Sequence, residues 1–162
     1  SLAGTEASGT GNMKLMINGA ITLGTMDGAN IEIHDAVGKD NIIIFGMTTP
    51  EVNQLKANGY NPGNYYMNNP TLKSAVDYLN THTFDGKSFP EIGETIKHHD
   101  PYMCLADFAD YYLAERHAEE LYTQPDKFLK MSLANIANAG IFAADRSIAD
   151  YARDIWHTAP VK

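Results

Sequence analysis

Residues 41–47 read NIIIFGM. Three consecutive isoleucines and a phenylalanine stand between Gly38 and the Thr48-Thr49-Pro50 turn signal. A short β-branched run with no polar alternation reads as a strand buried on both faces, which is the environment of a parallel sheet. A parallel sheet needs several strands. Upstream, residues 20–33 (AITLGTMDGANIEI) supply one short extended stretch, a turn at Asp27-Gly28, and a second short element.

Downstream of Pro50 the periodicity turns helical. Residues 51–58 form a helix with Gly59 at its C-cap, residues 71–80 form another, and PEIGETIKHH (residues 90–99) forms a third with Pro90 in its first turn. Asp107 is expected to cap a longer helix whose shared face carries Phe108, Tyr111, Tyr112, Ala118, Leu121 and Tyr122. Pro125 opens the next, with Phe128, Leu129, Leu133, Ile136 and Ala137 as its stripe and Gly140 as its stop. The last starts at Ser147, with Asp150 completing a capping box and Ile148, Tyr151, Ala152, Ile155 and Trp156 as its apolar face. Ahead of the strand, residues 11–18 form a helix with Met13, Ile17 and Ala20 on one side. The class is therefore α/β and helix-rich, with about six helices for one clear strand. Either the remaining strands come from residues outside this sequence, which agrees with its abrupt start, or the periodicity under-reports strands within it.

The bulk composition excludes several functions. The 162 residues carry a net charge of -8, which argues against a nucleic-acid or anionic-membrane surface. No apolar run approaches the roughly 20 residues that span a bilayer. The single cysteine, Cys104, forms no internal disulfide, which fits a reducing cytoplasm. The chain starts at Ser1 and reaches its most distinctive motif by Glu6, so it is expected to be a piece of a longer protein.

That motif is EASGTGNMKLMINGA, residues 6–20. A glycine-rich loop leading into a helix suits a phosphate, because free backbone N–H groups and the helix dipole face the anion. The phosphate-binding G-x-x-x-x-G-K-[ST] pattern fails, since Thr10 and Gly11 follow Gly9 where lysine and hydroxyl are needed. The dinucleotide pattern G-x-G-x-x-G fails too, since Lys14 occupies the third glycine position. Side chains in a first helical turn lean back over the preceding loop. A helix beginning near Gly11 thus brings the Lys14 amine toward an anion site made by Gly9, Thr10 and Gly11. Pyridoxal phosphate, with an aldehyde for the lysine and a phosphate for the loop, satisfies both. Spacing alone leaves other readings open: a helix entry with a solvated lysine, a non-covalent phosphate or sugar-phosphate module, or a helical interaction domain.

EASGTGNMK, together with NGA, GTMDGAN and IFGM, closely resembles the C-terminal part of the α-glucan phosphorylases. The likeness continues through NGY, HHD, FADY and ANIANAGIFAADRSIADYARDIW. It implies transfer of a glucosyl unit from the non-reducing end of an α-1,4-glucan to phosphate, giving glucose 1-phosphate with retention. It implies pyridoxal 5′-phosphate held by an imine to Lys14, its phosphate on the backbone of Thr10 and Gly11 and acting as proton donor and acceptor. Glu6 and the Ser8 and Gly9 amides would contact the hydroxyls of the transferred glucose, work that suits a carboxylate and small residues. The implied fold is an incomplete Rossmann-like C-terminal domain of a GT-B glycosyltransferase, with residues 1–162 as the cofactor-anchoring part. The N-terminal domain and the first part of the C-terminal domain would lie outside this sequence. The resemblance also implies a cytoplasmic homodimer, and a last helix whose Ile155 and Trp156 are uncovered here.

The remaining motifs read more plainly. His98-His99-Asp100 lacks a third ligand at metal spacing, and adjacent histidines diverge by about 100° on a helix. Cys104 is expected to be a buried, inert thiol. Asp27 is read as a turn residue, and Tyr65, Tyr66, Tyr111 and Tyr112 as core or helix-face aromatics.

Overall fold

The computed structural model describes residues 2–6, 9–81 and 86–159. Strand β1 (Leu23–Gly24) lies parallel to β2 (Ile43–Ile44), with Leu23 beside Ile43 and Gly24 beside Ile44. The amides of Ile43 and Phe45 donate to the carbonyls of Thr22 and Gly24 at 2.9 and 3.1 Å. Helix α2 (Ala29–Val37) makes the crossover between them, so the stretch after Asp27-Gly28 that read only as a short element is a helix. Side chains alternate across a strand, and the isoleucine run uses both directions. Ile42 and Ile44 join Met16 of α1 (Gly11–Ile17), Ile33 and Val37 in one cluster. Ile43, Leu23 and Phe45 join Ala114, Leu121 and Met131 on the other side. The burial expected on both faces is present, at 5 % exposure for Ile42 and 8 % for Ile43.

The helices surround this unit. Helix α3 (Thr49–Ala57) starts with a capping box in which the Thr48 amide donates to Glu51 at 2.7 Å. Helices α4 (Pro62–Asn68), α5 (Pro70–Thr81) and α6 (Pro90–His98) pack Tyr65, Leu72, Val76 and Ile96 against Leu105 and Phe108. Among them, α4 went unseen in the sequence because its run of Asn, Gly and Tyr carries no apolar period. The longest described helix, α7 (Cys104–Tyr122), covers one face of the sheet together with α8 (Pro125–Asn138). Helix α9 (Ala144–Tyr151) continues into a wider π-helical turn at Ala152–Trp156. No described helix is long and apolar enough to cross a membrane.

Four local expectations are corrected. Asp107 lies inside the first turn of α7 rather than at its cap. The cap is made by Asp100, whose carboxylate accepts from the amides of Cys104 and Leu105 at 3.0 and 2.8 Å and from the Tyr60 hydroxyl at 2.7 Å. This gives the aspartate of the HHD tripeptide a structural role. Asp150 does not complete a cap with Ser147, because α9 already starts at Ala144; it pairs with Arg146 and Arg153 instead. On α8, Leu129, Leu133 and Ile136 are exposed, and Met131 and Asn135 face the core. The Asn135 amide donates to the carbonyls of Asn41 and Met131 at 2.8 and 2.9 Å, which sets the helix rotation. Similarly, Met16 rather than Ile17 is the buried residue of α1. Ile155 and Trp156 are exposed as expected.

Asp107 ties α7 to the end of β2. Its carboxylate accepts from the Met47 amide at 2.8 Å. Gly46, at φ 81°, sits where an added Cβ would lie 2.9 Å from that carboxyl carbon. Burial pushes the Asp107 carboxyl above its usual range, opposed by the Met47 amide. A group raised in the native state contributes its stability below the unfolded pKa and loses it as pH rises through the native one. Asp107→Asn keeps an oxygen for Met47 and removes the ionisation. Its stability relative to the parent is expected to rise from acid pH to neutrality, as read from urea unfolding midpoints, and a constant difference would contradict this.

Candidate active site

Beyond the carboxyl end of β1 the chain turns at Asp27, whose amide donates to Thr25 O at 2.9 Å and whose carbonyl accepts from Asn30 N at 3.1 Å. Gly28 then opens α2 at φ 51°, a conformation that favours glycine. The Asp27 side chain is 5 % exposed and reaches back to the start of the chain. Its Oδ1 accepts from the Gly4 amide at 3.0 Å and its Oδ2 from the Glu6 amide at 2.9 Å. Leu2 and Ala3, just upstream, are buried against Val52 and Met103. Residues 2–6 are thus held twice, by apolar burial of Leu2 and Ala3 and by one carboxylate accepting from the Gly4 and Glu6 amides.

A second link ties the head of α1 to α2. Asn12 Nδ2 donates to Asn30 Oδ1 at 2.9 Å, and Asn30 Nδ2 donates to Thr25 O at 2.9 Å. Between these supports lies a cavity of about 600 Å³. Glu6, Gly9, Gly11 and Asn12 form one side of it, and Phe45 and Tyr111 stand on its wall, edge to face at 5.3 Å. Two glycines keep it open: a Cβ on Gly9 would lie 3.1 Å from Glu6 Oε1, and one on Gly24 would lie 2.6 Å from Asn30 Nδ2. No lysine or arginine lines it among the described residues.

The structure brings together Glu6, Gly9 and Gly11 of the residues singled out in sequence. Thr10 and Lys14 are exposed and stand outside the cavity lining. Thr10 is the N-cap of α1 and makes no side-chain cap bond, and the Lys14 amide closes the first turn on Thr10 O at 3.2 Å. The Lys14 amine pairs with no carboxylate among the described residues. Ser8 lies outside the described residues. Asn12 and Asn30 were missed, because the bond that gives them their role joins positions 18 apart in the chain. Asp27 reads in sequence as a turn former first and a minor site residue second, and its contact across 21 positions is invisible to local reasoning. Cys104 is exposed, contrary to expectation, since α7 starts at it and turns it outward. Partial burial and the nearby Asp100 carboxylate raise its thiol pKa, so it stays protonated at neutral pH.

A glycine-bordered cavity beside a parallel ladder, with a loop and the head of a helix on its rim, is the arrangement in which α/β proteins commonly take small ligands. The chain belongs to the carbohydrate phosphorylase family, whose model matches residues 1–158. It is 46% identical over 164 residues to a glycogen phosphorylase of Synechocystis, covering 99% of this chain and 19% of that protein. It is 44% identical over 165 residues to a glycogen phosphorylase of Haemophilus influenzae, covering 100% of this chain and 20% of the relative. The muscle form of glycogen phosphorylase from Rattus norvegicus is 45% identical over 163 residues, at 99% and 19% coverage. The chain therefore spans about a fifth of the length of the curated relatives it matches.

Asp27→Ala would leave the Gly4 and Glu6 amides without their buried acceptor. Hydrogen exchange at those two amides should accelerate, with a stability loss of about 1–3 kcal/mol. Asp27→Asn keeps one carboxamide oxygen and should fall between parent and alanine variant. Unchanged exchange at Glu6 in both would show that the carboxylate does not hold the loop.

Proposed function

We propose that this chain is the cofactor-anchoring segment of a pyridoxal phosphate-dependent α-1,4-glucan phosphorylase. The observation that carries the reading is the cavity that Glu6, Gly9 and Gly11 line together, with Asp27 holding the Glu6 amide and Lys14 following Gly11 by one turn of α1. The residues present fit such a cofactor. Lys14 offers an amine that pairs with no carboxylate among the described residues, Thr10 a hydroxyl not used in capping, and Gly11 open space where a Cβ would meet nothing within 4 Å. Lys14 would hold the cofactor, with the Thr10 and Gly11 backbone toward its phosphate. Glu6, with the backbone of Ser8 and Gly9, would hold the hydroxyls of the transferred glucose. When bound, the cofactor supplies a phosphate that exchanges protons with the substrate phosphate, within reach of neutral pH.

The reading extends to a longer chain. Lys14 is the only lysine or arginine in residues 1–38. Two phosphates a few ångströms apart repel by several kcal/mol at an effective dielectric near 20, so the compensating cations must come from elsewhere. On this reading residues 1–162 form the second half of the C-terminal domain of a GT-B enzyme, which works as a cytoplasmic homodimer. The segment alone should yield no glucose 1-phosphate from maltodextrin and phosphate.

A second reading, a non-covalent sugar-phosphate module, is favoured by the place of Lys14 outside the cavity lining. One experiment separates the two. The chain is incubated with pyridoxal phosphate, reduced with borohydride and mapped by mass spectrometry, beside a Lys14→Ala control. Labelling of Lys14 ahead of exposed Lys39, Lys56, Lys127 and Lys130 is expected. Labelling spread evenly over those lysines would overturn the proposal that this segment organises the cofactor site.

A further inference from the structure

Away from the cavity beside Glu6, the segment from α3 to the start of α5 borders a second hollow of about 470 Å³. Four carboxamides, Asn61, Asn64, Asn68 and Asn69, line it, with Tyr65 and Leu55 as apolar walls. No charged residue lines it, in a chain that carries 12 Lys and Arg and 20 Asp and Glu. That neutrality disfavours phosphorylated and acidic ligands and leaves hydrogen bonding as the means of recognition.

Two of the carboxamides are fixed by the backbone. Asn61 Oδ1 accepts from the Gly63 amide at 2.9 Å and Asn69 Oδ1 accepts from the Leu72 amide at 3.0 Å. Their Nδ2 groups have no partner among the described residues. Asn64 and Asn68 are exposed and stand four positions apart on α4, and so share one helix face. Their carboxamides are likewise unpartnered among the described residues. The Tyr65 ring is half-buried and leans on Tyr60 at 5.6 Å, and Tyr60 is itself anchored to Asp100 through its hydroxyl. The hollow therefore presents fixed donors, two adaptable carboxamides and a braced aromatic ring.

We propose that this hollow is a binding site for a neutral oligosaccharide, separate from the cavity beside Glu6. Sugar hydroxyls both donate and accept, as carboxamides do, and the apolar C–H face of a pyranose ring suits Tyr65 and Leu55. Donors already held by capping bonds lose little freedom when a ligand arrives. The choice of an α-1,4-glucan as ligand rests on the proposed function, whereas the site rests on its own lining.

Maltoheptaose titrated into the full chain tests this, with the asparagine NH2 signals followed in nitrogen–proton correlation spectra. The carboxamide signals of Asn61, Asn64, Asn68 and Asn69 should shift saturably. Asn64→Ala/Asn68→Ala, which leaves both capping asparagines in place, should weaken binding by about fivefold for each hydrogen bond lost. Glu6→Gln should leave these shifts unaltered. Unmoved carboxamides in a folded chain, or shifts confined to the surroundings of Glu6, would overturn the proposal. Shifts caused by a neutral peptide but not by maltoheptaose would assign the hollow to a polypeptide and overturn it as well. Selective Lys14 labelling with unmoved carboxamides would sink the hollow alone; moved carboxamides with indiscriminate lysine labelling would sink the cofactor reading alone.

Discussion

One buried carboxylate organises the candidate active site. Asp27 stands just past the end of β1 and accepts from two amides of a loop that lies more than twenty residues earlier in the chain. Charge-assisted bonds to backbone amides are among the stronger hydrogen bonds in proteins, and at 5 % exposure this carboxylate has little water to compensate their loss. The loop is rich in glycine, with Gly4, Gly9 and Gly11 in eight residues. Its shape therefore depends on what it is tied to. Glycine lets the loop bend close to Glu6 and Asn12, and Asp27 selects which of its many conformations is kept.

The position of Asp27 depends in turn on the sheet. A two-residue parallel ladder is too short to be stable alone, and its stability comes from burial on both faces. The isoleucine run provides this by sending alternate side chains into two different clusters. Helix α2 then brings Asn30 back toward the head of α1, where it meets Asn12. Sheet, crossover and loop thus form one construction, in which the apolar clusters fix the strand end and the polar links pass that position on to the loop.

The class of the fold was legible from residues 41–47 because β-branched runs between turn signals have few other solutions. Helix positions were legible where Pro marked their starts, as at Pro90 and Pro125, whereas the capping box at Thr48 starts α3 two residues ahead of the expected Glu51. Helix faces were not. On α8 the apolar stripe drawn from spacing is largely exposed, because Asn135 is held inward by two backbone carbonyls and turns the helix with it. Periodicity ranks residues by hydropathy, and a polar residue with two good acceptors outranks a leucine at the same level. Of the residues singled out for the candidate site, Glu6, Gly9 and Gly11 line one cavity. The bracing of that site was not legible, because Asp27, Asn12 and Asn30 act through contacts between segments far apart in the chain.

The charge distribution explains why the site is divided in the way proposed. The cavity is bordered by a carboxylate, carboxamides, glycines and aromatic rings, and by no lysine or arginine among the described residues. Such a lining suits sugar hydroxyls, which gain from neutral donors and acceptors and from apolar ring faces. It does not suit two phosphates, whose mutual repulsion grows as water is excluded. A segment with a net charge of -8 would add to that repulsion. If the cations needed for phosphate lie on a separate part of a longer protein, the two halves can assemble around the substrate, and full electrostatic compensation exists only when they close. On the proposed reading, the cavity without cations and Lys14 of α1 are complementary features of one half-site, the cavity for the sugar and the lysine for the group that handles the proton.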